Sequence, residues 1–315
     1  MPQIPPKVIA MAAAGDMEAL SRLDARGLTP APEEDAAGFA ARLTELNRNL
    51  AQMESALQQK GEFTVEDVTV DRDAQIPEAV FEEPCNRTDA LYGFRCDWVP
   101  GFFLNPRFSG LFGGCAYYFF PEFFALFIIR HSFKTRKRWL FYQRDELLAH
   151  ELCHVARVGV QSQKYEELIA YQTATSAFRR IAGGVFRSQG DVFLFLGAAL
   201  FQFAYQLARS WALPGLPAWI GWAVMGAVFA FLALRLAAML RTVRHARRAL
   251  LHHFHGDLRA ANAALFHATD DEIEQLAHTA DADALLAGYA RTSLRWQILR
   301  HRFPESDDTP CNCHD

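Results

Sequence analysis

The sequence predicts an α+β fold that is mostly helical: a small sheet beside two site-bearing helices, with a transmembrane helical hairpin downstream. Three observations predict it. Both ends of the chain carry apolar residues at helical spacing. The stretch from Phe63 to Gln143 contains alternating segments and is rich in aromatic and β-branched residues. Two long apolar segments, Val192 to Ala208 and Pro217 to Leu240, follow one another closely. At 315 residues there is room for one large domain or two small ones. The texture divides the chain into an N-terminal helical region (1–61), a mixed domain (62–187), the hairpin (188–241), a C-terminal helical region (242–303) and a flexible tail (304–315).

In the N-terminal region, "VIAMAAAGDMEALSRLDARG" is amphipathic up to Gly27. A second helix runs from Pro32 to Gly61, with Phe39, Leu43, Leu46, Leu50, Met53 and Leu57 as its apolar stripe. That stripe suits packing on the chain's own core, with a partner-binding hairpin as the other reading. "FTVEDVTV" alternates as a strand does, and the stretch to Pro100, rich in Pro, acids and Cys, reads as strands and loops. "GCAYYFFPEFFALFIIRHSF" is long enough for a membrane span, but Pro121 and Glu122 interrupt it, so it reads as two buried strands. "FKTRKRW" then forms the tip of a hairpin from "ALFIIRHS" to "RWLFYQ". Its Lys134, Arg136, Lys137 and Arg138 are either solvated or set against anionic headgroups.

The downstream hairpin is the clearest topological signal. Val192 to Ala208 carries no charge over about 17 residues, and Pro217 to Leu240 carries only Arg235, close enough to its end to snorkel. The alternative is a buried hairpin in a soluble protein. Arg179, Arg180 and Arg187 precede the pair, and Arg241, Arg244, Arg247 and Arg248 follow it, against Arg209 alone in the turn. The positive-inside rule places both ends in the cytoplasm. The opening segment lacks the layout of a cleavable signal peptide, which agrees with a cytoplasmic N-terminal region. Beyond the hairpin the chain is helical again, with Thr269 and Glu272 spaced for a capping box.

Composition excludes some functions. A formal charge of -4 exerts no global pull toward nucleic acid. Six scattered cysteines in so long a chain do not form the framework of a small secreted domain.

The chemistry is concentrated in "RDELLAHELCHVARVGVQSQKYEELIAYQTA", residues 144–174. His150 and His154 are four apart and project from one helix face, the spacing at which two imidazoles can share a zinc ion. Glu151 is one position round, able to reach water at the metal without being a ligand. Zinc lowers the pKa of water it binds to about 7, and a neighbouring carboxylate can take the proton. HExxH alone is a weak pattern, and three features strengthen it. The flanking residues are apolar, so the histidines and Glu151 form a polar seam that needs partners or a metal. The strand candidate Arg138 to Tyr142 could serve as an edge for an extended peptide. A third ligand, Glu166 or Glu167, lies on the next helix. Glu167 shares a stripe with Ala170, Tyr171, Ala174, Phe178 and Ile181, which turns it inward and favours it; Glu166 sits at the stripe's edge, facing solvent or a supporting partner.

"HELCH" followed by "EELIAY" resembles the gluzincin zinc metallopeptidases and their HExxH…ExxA pattern, over about 30 residues. The neighbouring hairpin is similar to the membrane-bound, HtpX-like families of that clan. The resemblance implies a zincin-like catalytic domain, one zinc ion per chain held by His150, His154 and Glu167, and Glu151 as general base. It departs from the usual pattern at Tyr171, where those families carry Asp or Asn, and in having both hydrophobic segments after the motif. Tyr171, one turn beyond the third ligand, is a candidate catalytic donor to an oxyanion, or a packed aromatic. Arg157 could bind a substrate carboxylate, hold Glu167 or Asp145, or equally be a simple exposed residue, and Cys153 points away as a small buried residue.

The expectation is a zinc-dependent metalloendopeptidase, integral to a membrane of bacterial inner-membrane type. Its catalytic domain faces the cytoplasm, a peptide or protein is the substrate, the lipid bilayer is the surroundings, and no nucleic acid is bound. The alternative is a non-enzymatic membrane protein with partner-binding helices and a structural or vestigial metal site. The tail residues Cys311, Cys313 and His314 read as disordered rather than metal-binding, and His252, His253 and His255 as surface residues.

Overall fold

The computed structural model of the chain describes residues 3–66, 68–104, 113–119 and 124–304. Two short helices, α1 (Pro6–Ala13) and α2 (Met17–Asp24), replace the single helix expected before Gly27. Gly15 between them takes φ +80°, a left-handed turn that L side chains resist, and Asp16 then caps α2 by accepting the Ala19 N–H. α3 (Ala36–Lys60) is the second expected helix, capped by Asp35 and stopped at left-handed Gly61. Its whole predicted stripe, Phe39 to Leu57, is buried in the chain's own core.

"FTVEDVTV" is a hairpin, not one strand. β1 (Glu62–Val65) pairs antiparallel with β2 (Val68–Asp71), with Glu66 at φ 49° in the turn. The stretch read as strands and loops holds the helix α4 (Glu78–Tyr92). Pro84 inside it lacks an N–H, a signal against helix, and outweighed the helical spacing of the buried Cys85, Thr88 and Tyr92.

The main sheet contains β3 (Gly101–Leu104), β4 (Gly114–Phe119) and β5 (Phe124–Arg130), in the order β3-β5-β4. β4 and β5 are the strands expected on either side of Pro121-Glu122, paired antiparallel with Cys115 opposite Ile128; the turn itself lies outside the described residues. β5 is buried as expected, whereas the described side chains of β4 are half-buried or exposed because β4 is the sheet edge. β3 runs parallel to β5 on its other side. With both its edges occupied, β5 cannot form the expected hairpin with the segment after Lys137. That segment instead folds on itself as β6 (Arg138–Trp139) and β7 (Tyr142–Gln143), turning at Leu140 with φ 51°. It therefore offers no strand edge of useful length, whereas β4 lies at the edge of the main sheet.

α5 (Arg144–Arg157) follows directly. The single long helix expected next is broken into α6 (Glu166–Ala170) and α7 (Ala177–Ala182), joined by a 3-10 turn and an extended Ala174. The break has a cause: Glu146 accepts the Thr175 N–H at 2.7 Å, and Ser176 restarts the helix as N-cap. As a result Phe178 and Ile181 leave the inner stripe and are 77% and 49% exposed.

α8 (Gln189–Trp211) and α9 (Trp219–His253) pack on each other, and both are long and apolar enough to cross a membrane. Phe193, Leu200, Phe203 and Leu234 point outward along them, each exposed by about two thirds or more. Arg235 does not snorkel: it donates two hydrogen bonds to Asp191, each 2.7 Å, and one to the Val185 carbonyl.

The chain closes with α10 (Leu258–His267), α11 (Asp270–His278), α12 (Ala282–Thr292) and α13 (Leu294–Arg302), and the Thr269/Glu272 capping box forms as expected. His253 is not a free surface residue but pairs with Asp283 at 2.6 Å. Cys311, Cys313 and His314 lie outside the described residues. One buried cluster runs through α1–α5, β3, β5, α6 and α10–α13, so both terminal regions pack on the elements that carry the site.

Candidate metal centre

α5 buries Leu148, Ala149, Leu152, Cys153, Val155 and Ala156, which turns its polar seam toward β4 and α6. The structure brings His150, His154 and Glu167 together. The two Nε2 atoms are 3.0 Å apart, and Glu167 places its carboxylate oxygens 3.4 Å from His150 Nε2 and 3.5 Å from His154 Nε2. A tetrahedral zinc ion with bonds of about 2.0–2.1 Å separates its ligand atoms by about 3.3–3.4 Å. The two Glu167 separations match that spacing, the two Nε2 atoms stand somewhat closer, and the residue types are those that could hold such an ion.

Glu166 is placed behind this set. It accepts a hydrogen bond from His154 Nδ1 at 3.0 Å and one from Arg157 Nε at 2.6 Å. A carboxylate on Nδ1 fixes the ring's orientation and leaves Nε2 free to ligate a metal ion. Burial disfavours the His154 cation, but Glu166, Glu151 and Glu167 around it outweigh that and push its pKa up to about 9. Burial likewise opposes ionisation of Glu166 and Glu167, yet Arg157 and His154 hold the Glu166 carboxyl, and the two imidazoles the Glu167 carboxyl, below the usual range.

Arg157 is neither a surface residue nor a partner of Glu167 or Asp145. Its side chain is fully buried, and beyond Glu166 it donates to the Phe266 and Ala268 carbonyls at the end of α10. Asp270 gives α6 a second tie to the C-terminal region. It accepts Ser162 Oγ at 2.6 Å and the backbone N–H groups of Gln163, Lys164 and Tyr165 at 2.8–3.2 Å, fixing the loop before α6.

Glu151 is 9% exposed, and its Oε2 accepts the Ala116 N–H of β4 at 2.9 Å. This bond aims the carboxylate at a cavity of about 940 Å³ lined by Cys115, Ala116 and Tyr118 of β4, by His150, His154 and Glu167, by the 161–164 loop and by Arg187 and Ser188. Tyr171 is not on that wall. Its ring packs on His150 at 4.4 Å between centroids, over Gly183. His150 Nδ1 is buried without a hydrogen-bond partner among the described residues, so packing positions this ring.

Two contributors escaped sequence reasoning. Tyr118 lines the cavity with its hydroxyl buried and unpartnered among the described residues. Ala116 acts through its backbone, which no residue type signals. The register of β4 against β5 is the observation that would have placed both, since residues 116 and 118 share one side of the strand. No family model, curated protein or solved structure matches this chain.

Proposed function

We propose that this chain is a membrane-anchored zinc metallopeptidase that hydrolyses peptide bonds at the cytoplasmic face of the bilayer. The observation that carries the reading is the convergence of His150, His154 and Glu167, at separations of 3.0–3.5 Å, on a cavity that Glu151 also lines. A zinc ion held there supplies Lewis acidity toward water and the scissile carbonyl. Glu151 is the proton carrier: with Oε2 fixed by Ala116, its other oxygen takes the proton of the attacking water and passes it to the leaving amine. Tyr118, on the same wall, is the hydroxyl donor for the oxyanion, while Tyr171 braces His150. An extended peptide adds alongside β4, the edge of the main sheet, with its backbone paired as a further strand.

The membrane part rests on α8 and α9, whose outward faces are apolar. Arginines flank the pair on one side, which orients the site toward the cytoplasm.

The test is Glu151→Gln in the purified full chain. Bound zinc should stay near one per chain while hydrolysis of an unfolded protein substrate falls about 100- to 10,000-fold. A wild-type chain without zinc, or one whose zinc is unaffected by His150→Ala, removes the metal from the reading. Zinc bound by these ligands without any hydrolysis makes the site structural.

A further inference from the structure

We propose that the cavity at the cytoplasmic foot of α9 is a binding site for an anionic phospholipid. The proposal rests on the membrane assignment of α8 and α9 and is independent of peptidase activity. The apolar run of α9 ends at Leu240, and Arg244 and Arg247 follow on one helix face, the first about 6 Å further along the axis. Both line a cavity of about 530 Å³ closed from the other side by Arg180 of α7. The pocket contains three guanidinium groups and no carboxylate. Arg180 is held in place by donating to the Ala174 and Thr175 carbonyls at 2.9 and 3.0 Å. Arg247 has its Nε buried with no acceptor among the described residues.

Arg244 is exposed, but the buried Arg247 donor is unsatisfied and the lining contains no carboxylate to pair with the three cations, so the arrangement favours an anion from outside the chain. The rest of the wall says which kind. Leu240, where the apolar run of α9 ends, lines it together with Val243 and Ile181, and Phe178 on the same helix as Ile181 is 77% exposed. An anionic head on the arginines with hydrocarbon along these side chains is the chemistry of a phospholipid at the headgroup level of a membrane. Inorganic phosphate would satisfy only the arginines. The inner wall includes Leu168, Ile169 and Gln172, so the bound lipid would lie behind α6, the helix that carries Glu166 and Glu167.

The experiment uses the full chain in neutral detergent, with binding of phosphatidylglycerol, phosphatidylcholine of the same acyl chains and inorganic phosphate measured separately by native mass spectrometry. Phosphatidylglycerol should bind one per chain, well ahead of the other two. Arg244→Gln with Arg247→Gln should weaken it about thirtyfold. Arg241→Gln with Arg248→Gln removes the same charge outside the cavity and should cost less than about threefold. Ala177→Trp fills the pocket, keeps every arginine and should also abolish binding, which decides the matter if the double variant does not fold. Equal loss in the two arginine pairs overturns the proposal, as does phosphatidylcholine binding as tightly as phosphatidylglycerol. Phosphate binding as tightly as the lipid makes the cavity an anion site with no lipid component, and also overturns it.

Discussion

Arg157 Nε donates to Glu166 Oε2 at 2.6 Å, and the arginine side chain is fully out of water. This ion pair links the last turn of α5 to the first turn of α6, and Glu166 extends it to His154 Nδ1 at 3.0 Å. The pair therefore orients His154, one of the three candidate metal-holding side chains. Glu166→Gln should lower zinc affinity about 10- to 100-fold in competition with a chelator, while Glu167 remains to bind the ion. Arg157→Met leaves Glu166 without its counter-charge and should destabilise the fold by about 3–5 kcal/mol in denaturant unfolding. The double variant should recover part of that loss, because it removes both charges together.

The buried hydroxyl of Tyr118 has no partner among the described residues, which is a cost in the resting protein and a resource if charge develops in the cavity. Tyr118→Phe should lower kcat about 100-fold or more with little change in KM or zinc content. Its thermal stability should be equal or slightly higher, since the orphan donor is gone. Tyr171→Phe keeps the ring on His150 and should change kcat far less. Equal kinetic effects from the two would place both hydroxyls at the oxyanion.

Gly183 lies directly under Tyr171, and a Cβ there would stand 2.2 Å from the ring. Gly183→Ala should push the tyrosine toward His150, destabilising the protein by about 1–3 kcal/mol and weakening zinc binding. Tyr171→Ala in the same chain should relieve the clash, and recovery of stability in the double variant checks the direction of the effect.

Asp24 gives the pH dependence. Burial alone would raise its pKa, but His267 and Arg302 outweigh burial and hold the carboxyl well below the ordinary value of 3.8. A depressed folded pKa contributes stability that is present above about pH 4 and is lost as pH falls through the folded value. Unfolding free energy of the wild type should therefore drop steeply below pH 4, and Asp24→Asn should flatten that slope while lowering stability at pH 7. An unchanged slope would show that other carboxylates govern the acid limb.

Local spacing was enough to locate α5, the α3 stripe, the β4–β5 pair, the Thr269/Glu272 capping box and the two apolar helices, because each is set by residues within a few turns of one another. Spacing also brought His150 and His154 to one face and turned Glu167 inward, which is where the fold puts them. It failed where a distant group decides. Glu146 breaks the helix after α6 by drawing Thr175 into an extended segment, and Pro84 hides a helix whose stability comes from burial against α5. The roles of Glu166, Arg157, Ala116 and Tyr118 depend on strand register and on carbonyls at Phe266 and Ala268, more than 100 residues away in sequence. Which side chains could hold a metal follows from their spacing along the chain. What orients them comes from packing across the fold, because a buried charge takes its partner from whichever element lies against it, and that element is not its neighbour in the chain.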